Sequence, residues 1–176
     1  MNDAATVLVI GYGNPGRRDD GLGPALAERL QELRLPGVDV DADYQLTVED
    51  AAAAAEHDVV VFADAAQAGP EPFFFRRVEP RGELGFSSHG CEPPALLALA
   101  RDLFDAHARA YILGIRGYEF DEFGESLSSR AKDNLAAATE FLLDVLRSRS
   151  FDDAAGRFAG DRAAADEGTS CKTQNT

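Results

Sequence analysis

Apolar runs and helical spacings alternate along the chain. Thr6-Val7-Leu8-Val9-Ile10 and Asp58-Val59-Val60-Val61-Phe62-Ala63 are apolar almost throughout, the pattern of strands buried on both faces. Val38 to Val40 is a shorter strand among acidic residues, and Ala110 to Ile115 is a further apolar strand. Phe73 to Val78 lies between Pro72 and Pro80 and carries two arginines near its end, which marks an edge strand. The link from Asp64 to Phe73 is too short for a helical crossover, so this strand is predicted to run antiparallel to its neighbour.

Leu22, Leu26, Leu30 and Leu33 share one helical face. Pro24 is predicted as the first residue of that helix, and Pro36-Gly37 ends it. Thr47-x-x-Asp50 reads as a capping box before Ala51 to Ala55. Pro93-Pro94 opens a helix with Leu96, Leu99 and Leu103 on one face. Ser128 caps a last helix whose stripe is Leu135, Ala138, Leu142 and Leu146. The order βαβαββαβα predicts an α/β three-layer sandwich. Its sheet has five strands, mostly parallel with one antiparallel, and helices cover both faces. Residues 1–150 form one domain. Over 151–176 the composition turns to Ala, Asp, Gly and small polar residues without a period, which predicts a disordered tail.

Charge narrows the function. The 17 basic and 31 acidic residues give a net charge of −14. This argues against nucleic acid, whose affinity rests on neutralising phosphates, and its plain reading is solubility. No basic segment precedes an apolar core at the N-terminus, so no signal peptide is expected. No apolar run approaches the length of a membrane span. Cys91 and Cys171 are far apart and lack metal-type spacing. A cytoplasmic, reduced monomer is expected, with neither a membrane nor a nucleic-acid partner.

The chemistry centres on the loop Gly11-Tyr12-Gly13-Asn14-Pro15-Gly16-Arg17-Arg18-Asp19-Asp20-Gly21-Leu22-Gly23. It follows the first strand, where open α/β sheets place their ligands. Gly11, Gly13 and Gly16 satisfy a dinucleotide fingerprint as written. The context argues against that reading, because no helix follows directly and two carboxylates would repel a phosphate. Asp64 ends the third strand, and His89 follows the fourth within Ser87-Ser88-His89. Two carboxylates and an imidazole on loops of one sheet make an open site for a divalent ion. Each also has a plain structural reading. An Asp at a strand end caps a turn, a His in a Ser-rich loop lies at the surface, and an acidic pair bonds loop amides. Cys91, two residues from His89, raises a thiol hydrolase as a rival, but nucleophile and base normally come from distant segments. Arg116 reads either as a partner for acidic substrate groups or as a surface ion-pair residue.

Residues 7–23 resemble the opening of the hydrogenase maturation proteases: a hydrophobic strand, Gly-x-Gly-Asn, an acidic pair, then Gly-x-Gly. The resemblance spans roughly residues 6 to 147. It implies an endopeptidase, of aspartic or metal-dependent type, that removes a C-terminal extension from the precursor of a nickel-iron hydrogenase large subunit after nickel insertion. It implies that Asp20, Asp64 and His89 contact the nickel and carry the catalysis. Asp19 is then structural, although an exchange of roles between the two acids stays open. The nickel would be supplied by the precursor rather than permanently bound. Tyr44 to Glu49 and Ile115-Arg116-Gly117 look most like members serving NAD-linked hydrogenases. Two alternatives remain. Gly13-Asn14-Pro15-Gly16 also resembles peptidyl-tRNA hydrolase, although the His that should follow is replaced by Arg17 to Asp20. A nickel-dependent checkpoint that binds the precursor without cutting it would use the same residues.

Overall fold

Five strands line up in the order β2-β1-β3-β5-β4. They are β1 (Val7–Tyr12), β2 (Val38–Asp43), β3 (Val59–Ala66), β4 (Phe73–Val78) and β5 (Arg109–Arg116). The helices are α1 (Leu22–Leu33), α2 (Val48–Ala55), α3 (Pro93–Phe104), α4 (Ser129–Ser148) and α5 (Phe151–Gly156). This computed structural model describes residues 5–82 and 91–159.

β1 pairs in parallel with both β2 and β3, and β3 pairs in parallel with β5. β4 lies at the edge, antiparallel to β5. The two most apolar strands, β1 and β3, are therefore central neighbours. From β1 the chain turns towards β2, and from β3 it turns the other way towards β4 and β5. Their carboxyl ends flank a topological switch point, where sheets of this class open a crevice.

Alternating residues along the strands feed two cores. Val7, Val9, Val59, Val61, Phe75, Tyr111 and Leu113 pack with α1, α4 and α5 on one face. Leu8, Ile10, Val60, Phe62 and Ala110 pack with α2 and α3 on the other. The expected three-layer sandwich is present. The Thr47 capping box forms, and the Ser128 hydroxyl accepts the Ala131 N–H at 3.3 Å.

Several boundaries differ from expectation. α1 starts at Leu22, after a 3-10 turn over Arg18–Gly21. Pro24 thus sits within the first turn, where its missing N–H has no helical acceptor to lose. β3 does not end in Asp64. Pairing with β5 continues to Ala66 opposite Arg116, so Asp64 is held opposite Gly114 in that ladder rather than by a loop. β2 likewise runs on to Asp43, opposite Tyr12.

The largest correction concerns the expected tail over 151–176. Its first nine residues pack on the domain. Phe151 and Ala154 are each 1% exposed. The Phe151 ring stacks 5.5 Å from Tyr111, and Phe158 meets Phe73 and Phe141, each at 5.7 Å. Asp152 accepts the Tyr111 hydroxyl at 2.6 Å and pairs with Arg77 and Arg109. A segment poor in apolar residues overall is fixed by two aromatics and one carboxylate. Residues 160–176 lie outside the described residues.

Candidate active site

The glycine loop leaves β1 and returns to α1 through tight backbone contacts. Gly13 has φ 140°, a conformation open to glycine, and a Cβ there would collide with the Asp20 carbonyl. At Gly23 a Cβ would meet the carbonyls of Tyr12 and Ala63. These approaches seat the start of α1 directly on the ends of β1 and β3.

Asp19 is fully buried. It accepts the N–H groups of Tyr118 (2.8 Å) and Glu119 (3.0 Å) and the N–H and hydroxyl of Ser128 (both 2.7 Å). Burial alone would raise its pKa, but the hydrogen bonds from Ser128, Tyr118 and Glu119 outweigh it and hold the carboxyl below its ordinary value. Asp19 thus ties the glycine loop to the loop between β5 and α4. Arg18 reinforces the tie through Glu119 and Glu122.

Asp20 takes another direction. Its Oδ2 accepts the Asn14 N–H at 3.0 Å, and its side chain lines a crevice of about 720 Å³ at the carboxyl end of the sheet. Asp64 lines the same crevice, with Tyr12, Gly13, Tyr44 and Cys91. Asp64 Oδ1 accepts the N–H of Ala65 at 2.7 Å. Burial pushes the Asp64 carboxyl up to about 6. Hydrogen bonds from Ala65 and the Tyr12 phenol pull against that rise, while the charge of Asp20 adds to it. A carboxyl poised there can hold or release a proton near neutrality.

Of the three residues expected to converge, Asp20 and Asp64 share one crevice. His89 lies outside the described residues. Among the described residues, no group of three or more His, Cys, Asp or Glu is placed to hold a metal ion. Cys91 also lines the crevice, but burial and the charges of Asp50 and Glu92 raise its thiol pKa. That suppresses the thiolate a thiol hydrolase needs. Arg116 is not a crevice residue. Its guanidinium lies 5.6 Å from the Tyr118 ring centre.

The sequence reading passed over Tyr12. Burial, the charge of Asp64 and the hydrogen bond to it, and the charge of Glu92 all push its phenol upward, so it stays protonated and a donor. The signal was available. Tyr12 has the parity of Leu8 and Ile10, so it faces the same side of the sheet.

The fold recurs in solved structures. The [NiFe] hydrogenase maturation protease HycI from Thermococcus kodakarensis is similar with a TM-score of 0.66 and 24% identity, over 83% of this chain and 95% of that one. The hydrogenase maturating endopeptidase HybD from E. coli has a TM-score of 0.67 and 20% identity, over 82% of this chain and 94% of that one. At these identities the likeness is one of fold. No family model matches the chain. In sequence, the hydrogenase expression/formation protein HupD of Thiocapsa roseopersicina is 32% identical over 156 residues, covering 83% of this chain and 70% of that protein. The chain belongs to the hydrogenase maturation protease family. Membership displaces the peptidyl-tRNA hydrolase alternative. It also gives the divergence of Asp19 and Asp20 a context: in this maturation protease one acid anchors the glycine loop and the other faces the crevice.

Proposed function

We propose that the protein is an endopeptidase that removes a C-terminal extension from the large-subunit precursor of a nickel-iron hydrogenase after nickel insertion. The observation that carries this reading is the meeting of Asp20 and Asp64 in one crevice of a maturation-protease fold. In this reading Asp20, Asp64 and His89 contact the nickel that the precursor already holds, so the metal arrives with the substrate. A carboxylate takes a proton from the attacking water and passes it to the leaving amide nitrogen. The new C–O bond forms as the C–N bond breaks. Asp64, poised near neutrality, suits that exchange. The site of action is the cytoplasm. Among the described residues, no helix is long and apolar enough to cross a membrane.

The test is the mass of a purified nickel-loaded precursor after incubation with the protein. Loss of one C-terminal peptide from the nickel-loaded form, and none from the nickel-free form, is expected. Equal cleavage of both forms would remove nickel as the gate. A stable complex with an unchanged mass would identify a checkpoint that binds without cutting.

A further inference from the structure

The pairing of β1 with β3 matches Gly11 with Ala63. One step further along these parallel strands, Tyr12 lies beside Asp64. Both side chains leave the sheet on the face of α2 and α3, and both line the crevice. The Tyr12 ring packs against the apolar cluster of that face, which leaves its hydroxyl on the crevice side, next to Asp64. Asp64 Oδ1 already accepts from its neighbour's backbone at 2.7 Å. A carboxylate offers about four acceptor positions. The backbone donor alone leaves the plane of the carboxylate open to a second donor, and the Tyr12 phenol is the neighbour placed to supply it.

We propose that Tyr12 is a positioning residue: its phenolic hydroxyl fixes the direction in which the Asp64 carboxylate faces the crevice. The proposal rests on the endopeptidase reading for its effect on turnover. The ring is anchored by packing on the sheet face, and the β1–β3 ladder sets the separation of the two residues. Outer hydrogen-bond partners of this kind commonly change activity about 10- to 100-fold when removed.

Tyr12→Phe keeps the ring and deletes only the hydroxyl. With nickel-loaded precursor as substrate, kcat should fall about 10- to 100-fold while KM stays within about twofold. A crystal structure of the variant should show the Asp64 carboxylate rotated away from its wild-type plane. The melting temperature should hold, because the hydroxyl has no share in the core. Unchanged kcat, a loss carried by KM alone, an unmoved carboxylate, or a variant that fails to fold would each overturn the proposal. If the wild-type protein leaves the precursor uncut, the endopeptidase reading fails instead. The carboxylate orientation in the Tyr12→Phe structure then decides the Tyr12 assignment by itself.

Discussion

Asp19 and Asp20 are adjacent in the chain, yet their carboxylates serve different parts of the molecule. Asp19 is buried against Tyr118, Glu119 and Ser128, and Asp20 faces the crevice that Asp64 also lines. One acid is spent on architecture so that the other is held in place.

Asp19→Asn should therefore damage stability more than Asp20→Asn does. An amide offers one acceptor oxygen to the three backbone N–H groups and one hydroxyl that Asp19 now satisfies. Leaving buried donors unmade costs about 3 kcal/mol, a fall in Tm of about 6–12 °C for a chain of this size. Thermal unfolding of the two variants, side by side, checks this. The harm of Asp19→Asn thus falls first on the fold.

Asp64→Asn should stabilise the protein at pH 7.5. The Asp64 carboxyl is raised to about 6 in the folded state, chiefly by burial, from an ordinary value of 3.8. The folded form thus binds more protons than the unfolded form between about pH 4 and 6, so wild-type stability falls as pH rises through that window. The full cost, about 1–3 kcal/mol, is present above pH 6 and absent below about 4. The Asn variant lacks it. Its Tm should exceed that of the wild type at pH 7.5, and the two should converge near pH 4.

A chain ending at Ser150 should lose stability. It gives up the buried Phe151 ring and the Asp152 anchor for the Tyr111 hydroxyl. Phe151→Ala alone should cost about 3–5 kcal/mol. The Ala, Gly and small polar composition of 160–176 predicts that a chain ending at residue 159 melts close to the full-length protein. Calorimetry on the two truncations separates these outcomes.

Cys91→Ser should retain cleavage of the precursor at near wild-type rate. The raised thiol also predicts slow alkylation of Cys91 by iodoacetamide at pH 7, accelerating at higher pH. Loss of turnover in the Ser variant would reopen the thiol mechanism.

The fold was legible because its two central strands are almost uniformly apolar and its helices carry clean stripes. The antiparallel direction of β4 followed from the short link after β3. The ends of elements were less legible. The pairing of β3 with β5 extends through Asp64 to Ala66, and pairing is a property of two segments rather than one. The packing of α5 was hidden because Phe151 and Phe158 stand alone in a polar, Ala-rich stretch. Their partners, Tyr111, Phe73 and Phe141, are distant in sequence. In the site, the acidic pair of the glycine loop was visible as a motif. Which acid turns inward depends on Tyr118, Glu119 and Ser128, a hundred residues away.

The most direct test of the account is the mass of a nickel-loaded large-subunit precursor incubated with wild-type protein, Asp20→Asn or Asp64→Asn, each first shown to fold. Wild type should release one C-terminal peptide. Each variant should leave the precursor intact, Asp20→Asn with its Tm preserved and Asp64→Asn with a Tm above that of the wild type at pH 7.5. Release of the same peptide at wild-type rate by Asp20→Asn and Asp64→Asn would contradict the assignment of the reaction to this crevice.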